Sequence, residues 1–224
     1  KMNHKQWLDN EYNQWIKALQ ESTVENFKEH PMVQRMLSED LDAALFPTVH
    51  YLEPLLYKID NIGRTTPKPV SGACYRMAYY ALKVLEQKPT CIVEIGGGVG
   101  QFAVILYALG YYGKYDIVDL PEVMAFQKAY MNHALNLLRR EIDNDHAWDI
   151  RDIDFVCSFY ALGEFDDETK KQYLPLIESM PHGLILWNPH SNASEEIPFN
   201  IEGMQVKDEY PKSSPNVNVK EISW

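Results

Sequence analysis

Cysteine is scarce in this chain. Only Cys74, Cys91 and Cys157 occur in 224 residues, all in apolar surroundings and none in a CxxC spacing. That argues against a disulfide scaffold or a thiolate zinc site and fits a reduced, cytoplasmic protein. No run approaches eighteen apolar residues, so there is no candidate for a membrane span, and the opening KMNHKQWLDNEYNQW lacks the apolar region of a signal peptide. Basic blocks are missing as well. Lys and Arg number 21 against 32 Asp and Glu, a net charge of −11. A field of that sign repels phosphate backbones and anionic bilayers, so neither nucleic acid nor membrane is an expected partner. The seven histidines never fall in an HxxxH spacing, and no metal site is expected.

What remains is ordinary globular material, 46% hydrophobic and 24% charged. At this length a chain hides roughly 70% of its surface without covalent help. Residues 3 to about 60 read as helical: Trp7, Leu8, Tyr12, Trp15, Ile16 and Leu19 recur at three- and four-residue spacings. Pro31 suits a first helical turn, and Pro47 and Pro54 divide the later apolar run into short helices. IGRTTPKPVSG, residues 62–72, is the most loop-like stretch. It separates an expected N-terminal helical cap and linker, residues 1–72, from a second region, 73–224.

There the texture changes. CIVEI, 91–95, is a nearly continuous apolar run of the kind buried on both faces of a sheet. Further strands are expected at YDIVDL, IDFVCSF and HGLILWN, with helices between them and one short strand hidden in 140–152. The alternating runs MQVKDEY and NVNVKEISW, split by PKSSPN, suggest an antiparallel pair. Strands alternating with helices of ten to fifteen residues specify a mostly parallel α/β sheet covered on both faces.

VEIGGGVG, residues 93–100, joins a strand to a helix with four glycines in five positions. Glycine there lets the backbone turn tightly and approach a ligand, at the sheet edge where such folds bind cofactors. Two cofactor classes compete for the turn. Gly98, Gly100 and Ala103 match a dinucleotide fingerprint, with Asp119 about twenty residues on to hold a ribose. Glu94 opposes it, because a carboxylate beside a pyrophosphate is repulsive where the site needs attraction. S-adenosylmethionine has no phosphate and carries a sulfonium and an ammonium. The order of acid then glycines therefore favours it.

EIGGGVG followed by IVDLPE resembles the first two cofactor motifs of the Rossmann-like, class I methyltransferases. With SFYALGEF the chain is also similar to a smaller group, the sugar O-methyltransferases. The likeness covers roughly residues 73–224. It implies a seven-stranded, mostly parallel sheet with the last strand antiparallel, helices on both faces, and the N-terminal helices as a cap on its C-terminal edge. By that resemblance Glu94, Gly96, Gly98 and Gly100 line the methionine part of S-adenosylmethionine, Asp119 takes the ribose hydroxyls and Leu120 packs on the adenine. The third motif, touching the adenine amine, is not clear; Asp145, His146 and Ala147 are nearest.

Methyl transfer proceeds in line from sulfonium to an oxygen or nitrogen, and much of its rate can come from holding both reactants aligned. A hydroxyl acceptor also gives up a proton, which a base assists. Glu164 and His190, after two strands at the ligand edge, are the catalytic candidates. For Glu164 the alternative is a cap on the helix beginning near Asp166. Ser158 and Tyr160 are expected to face the pocket. Arg76 pairs with the cofactor carboxylate or is a surface residue. The expected reaction is methylation of a small-molecule hydroxyl, a saccharide first, with a non-sugar acceptor, a nicotinamide oxidoreductase and a non-catalytic cofactor-binding protein as alternatives.

Overall fold

The computed structural model describes residues 13–37, 43–139, 152–188, 196–212 and 218–224. They fall into two compact units. One takes in the chain through Leu82 with Gly98–Gly110 and the stretch from Leu120; the other holds Lys83–Gly97, Tyr111–Asp119 and the described residues after 151. No helix among the described residues is long and apolar enough to cross a membrane.

The first unit is helical. Residues 13–20 form α1, and α2 (Pro31–Leu37) opens on the proline. α3 (Glu53–Asp60) has Pro54 in its first turn, where a missing N–H is harmless. α4 (Gly72–Glu86) follows the 62–72 loop and reaches into the second unit at its end. α5 (Gln101–Ala108) has no charged residue and only Gln101 and the Tyr107 hydroxyl as polar groups, and it is buried at seven of its eight positions, as a helix without a polar face must be. α6 (Pro121–Leu137) again begins on a proline. Phe27 is the hub, its ring 5.2 Å from Phe126 and 5.4 Å from Tyr130, both in edge-to-face geometry. Beside it lies a pair that the periodicity gave no sign of. Lys28, 1% exposed, donates to the Asp60 carbonyl at 2.8 Å and lies 3.5 Å from its Oδ1. Burial holds the Lys28 ammonium below its ordinary pKa, with Asp60 pulling it back up.

The second unit is built on a mixed sheet. Its strands are β1 (Cys91–Ile95), β2 (Lys114–Val118), β3 (Phe155–Phe159), β4 (His182–Trp187), β5 (Gln205–Asp208) and β6 (Lys220–Ser223). The order is β2-β1-β3-β4-β6-β5. The first three pairings are parallel, while β6 runs antiparallel to both β4 and β5. Among the described residues six strands therefore stand, where seven were expected for the whole chain. The segment read as a hidden short strand, 140–152, lies outside the described residues except for Asp152. The tail pair is antiparallel as its alternation implies, but the two strands differ in burial: β5 is exposed at every position, and β6 is buried at Glu221 and Ile222. β1 and β3 are buried at all five positions each, in keeping with their nearly continuous apolar runs. Val93, Ile95, Val156, Ile185, Trp187 and Ile222 share one core with Ile177 of α8 (Asp167–Ser179) and Leu162 of α7 (Ala161–Glu164).

Candidate functional site

Parallel pairing brings the ends of β1 to β4 to one edge of the sheet. β5, reversed twice through β6, ends there too, since Asp208 and Trp187 both register with Lys220. Across that edge the chain leaves the strands at Asp119 after β2, Gly96 after β1, Tyr160 after β3, Asn188 after β4 and Glu209 after β5.

At the β1 end, Glu94 is 2% exposed, and its Oε2 accepts a hydrogen bond from the Tyr115 hydroxyl at 2.7 Å across the β1–β2 pairing. Burial pushes the Glu94 carboxyl up to about 7; the Tyr115 bond opposes the rise and Asp119 adds to it. The neighbouring Tyr115 phenol and Cys157 thiol are raised as well, first by burial and then by the Glu94 charge. Glu94, Tyr115 and Cys157 thus form a desolvated cluster at this end of the sheet, in which burial favours the protonated forms.

The glycines divide their work. At Gly96 the constraint is the protein itself: φ is +73°, and an added Cβ would collide with the Cβ of Ala161 at the start of α7. Gly98, in the helical unit, has φ +58° and open space where its Cβ would stand, with nothing within 4 Å. Its carbonyl accepts from the buried Gln127 Nε2 at 2.9 Å, which fixes the peptide. Gly100, φ +86°, caps α5. At Gly98, unlike Gly96, no side chain of the protein crowds the missing Cβ.

Ser158 is fully buried. Its hydroxyl donates to Ile95 O at 2.8 Å and accepts from Leu162 N at 3.3 Å, tying the end of β1 to α7 beneath the edge. It does not face a pocket. Glu164 ends α7, and its Oε1 accepts from Asn188 Nδ2 at 3.2 Å. The helix-capping alternative for Glu164 falls away, because Asp166 caps α8 through Thr169 N at 2.8 Å. Arg76 is fully buried, which removes the surface reading, and it belongs to the helical unit. Leu120, 42% exposed, is the residue before α6. His190, Asp145, His146 and Ala147 lie outside the described residues. Among the described residues no group of three His, Cys, Asp or Glu side chains is placed to hold a metal ion.

Sequence reasoning missed Glu209. It is 2% exposed, its backbone N–H donates to Val219 O at 3.0 Å, and its Oε1 accepts a short hydrogen bond from the Tyr160 hydroxyl. The two residues are 49 apart in the chain, so no local pattern announces the pair. Tyr160 itself has φ +72° and ψ −34°, a left-handed backbone that a bulky side chain rarely adopts.

No protein-family model matches the sequence, and no curated protein matches it. Solved structures give partial likenesses. The Pyrococcus abyssi tRNA (uracil-54, C5)-methyltransferase, in complex with S-adenosyl-L-homocysteine, is 16% identical with a TM-score of 0.41, over 67% of this chain and 37% of that one. An O-methyltransferase family protein from Burkholderia thailandensis is 14% identical, TM-score 0.40, over 97% and 69%. A SAM-dependent methyltransferase from Aquifex aeolicus is 14% identical, TM-score 0.39, over 82% and 98%. The chain thus spans little more than a third of the first of these, and overlaps at this level leave the chemistry to be read from the residues themselves.

Proposed function

We propose that this protein transfers a methyl group from S-adenosylmethionine to a hydroxyl of a small polyol, a saccharide. The observation that carries the reading is Glu94, a buried carboxyl near the end of β1 held by the Tyr115 hydroxyl, directly ahead of the glycines. A buried anion is repelled by a pyrophosphate and stabilised by an ammonium or sulfonium. Asp119, at the exit of the adjacent β2, supplies a second carboxylate suited to a diol such as ribose. When bound, the cofactor supplies a methyl group on a cationic sulfur, an electrophile that needs no metal. The chain's own part is to neutralise the cation, to hold the acceptor in line and to accept its proton. Glu164 and Asn188, paired at the exits of α7 and β4, present an acceptor and a donor side by side, the chemistry that a sugar hydroxyl recognises.

The test is isothermal titration of the protein with S-adenosylhomocysteine and with NAD. The homocysteine compound should bind with micromolar-scale affinity and NAD should give no heat; the reverse result ends the proposal. Asp119→Ala should weaken the homocysteine compound by about 2–3 kcal/mol, two charge-assisted bonds to ribose being lost. An unchanged affinity would place the ribose elsewhere.

A further inference from the structure

We propose that Tyr160 and Glu209 form the proton-accepting pair of the site, with Tyr160 Oη receiving the acceptor hydroxyl's proton as its own proton passes to the Glu209 carboxylate. The inference rests on the methyl-transfer reading above.

Three observations carry it. The first is position. β3 and β5 are three strand spacings apart, about 14 Å, with β4 and β6 between them. The Tyr160–Glu209 hydrogen bond therefore spans the ends of β4 and β6, beside Asn188, in the half of the edge that Glu94 and Asp119 leave to the acceptor. The second is backbone. Tyr160 continues the β3–β4 ladder through its N–H to Leu186 O at 3.0 Å, yet bends to φ +72° to do so. Among the described residues the other non-glycine positions at positive φ are Lys88 and Arg139, each two residues past the end of a helix, where such a turn is routine. Tyr160 follows a strand and aims a large side chain across the edge. The third is burial. Glu209 is 2% exposed and Tyr160 is half-buried, so the phenol is the more exposed member of the pair. A phenol that donates to a carboxylate keeps its oxygen lone pairs as acceptors.

The step balances without a further reactant. The acceptor O–H bond breaks as its proton moves to Tyr160 Oη, and the Tyr160 proton moves to Glu209 Oε1. The electron pair left on the acceptor oxygen forms the new bond to carbon, and the departing sulfur keeps the pair of the bond that breaks. The products are the methyl ether, neutral S-adenosylhomocysteine, Tyr160 as a phenol and Glu209 as a carboxylic acid, which then releases its proton to water.

Glu209→Gln is the discriminating variant, because an amide oxygen still accepts the Tyr160 hydrogen bond but takes no proton. Wild type, Glu209→Gln and Tyr160→Phe are incubated with S-adenosylmethionine and, in turn, methyl α-D-glucoside, myo-inositol and catechol, and formation of S-adenosylhomocysteine is followed. Calorimetry measures S-adenosylhomocysteine binding to each protein, and acceptor binding to each loaded protein. Both variants should lose 10²–10⁴ in kcat and keep their affinity for S-adenosylhomocysteine within about twofold. Tyr160→Phe should also weaken acceptor binding by about fivefold to tenfold through one lost hydrogen bond, while Glu209→Gln should not. If Glu209→Gln retains kcat within tenfold, the pair is only a brace and the inference is overturned. It is overturned too if the loaded wild type methylates none of the three acceptors. Failure of wild type to bind S-adenosylhomocysteine at all overturns the underlying reading, and the separate titration identifies that outcome.

Discussion

Replacing Glu94 with Gln should stabilise the free protein and weaken its cofactor, two effects of opposite sign from one atom change. The carboxyl is lifted from its ordinary 4.5 to about 7, chiefly by burial, with Asp119 adding repulsion and the Tyr115 hydroxyl opposing it. At 1.36 kcal/mol per pH unit of separation, an ionised Glu94 destabilises the fold by about 3 kcal/mol relative to its protonated form. The native state holds this proton more tightly than the unfolded chain does. Stability from this group is therefore complete below about pH 4.5, falls as pH rises from there to about 7, and is flat above. A glutamine amide still accepts the Tyr115 hydroxyl through its oxygen and carries no charge at any pH. Urea unfolding of both proteins from about pH 5 to about pH 8.5 should show the variant gaining on wild type by up to about 3 kcal/mol as the medium becomes alkaline. Titration with S-adenosylhomocysteine at the alkaline end should show the variant binding more weakly. Parallel stability curves would refute the claim that Glu94 is a desolvated carboxylate. A stabilised variant with undiminished affinity would refute its service to a cation.

Two further substitutions address the scaffold. Lys28→Met leaves Asp60, 3% exposed, without its buried ammonium, and should destabilise the helical unit by about 3–5 kcal/mol in chemical unfolding; a loss below about 1 kcal/mol would mean that Asp60 is satisfied by its other partners. Gly96→Ala drives a Cβ into Ala161 at a backbone angle of +73° and should cost about 1–3 kcal/mol. A thermal midpoint equal to that of wild type would show that α7 yields.

The parts of the fold that the sequence announced are those governed by nearest neighbours. Pro31 and Pro121 open helices because a proline's missing N–H is harmless there, and Cys91–Ile95, apolar at all positions but Glu94, is a buried strand because both of its faces are covered. Glu94 was legible as a charge out of place before glycines. What it bonds was not, since Tyr115 reaches it only through the β1–β2 register. Lys28–Asp60 and Tyr160–Glu209 are likewise meetings of residues 32 and 49 apart, set by tertiary packing alone. The glycine string read as one ligand cradle proves composite, because at Gly96 the crowding partner is a side chain of the same protein. The pocket-facing expectation for Ser158 fails for a related reason: alternation along β3 names a face, whereas the hydroxyl's partners lie at the end of β1 and the start of α7.

The place of β6 has a consequence for how the sheet opens. β5 precedes β6 in the chain but touches the sheet only through it, and its four exposed residues add almost nothing to the core. β5 therefore loses its link to the rest of the sheet whenever β6 leaves β4. Lys83, donating to both Glu221 oxygens at 2.8 and 2.7 Å, pins β6 from the end of α4. The amides of β5 should thus exchange with solvent in one cooperative opening with those of β6, at a free energy well below that of β1 and β3. Glu209 directly follows β5 in this outer pair, so its bond to Tyr160 is exposed to the same opening.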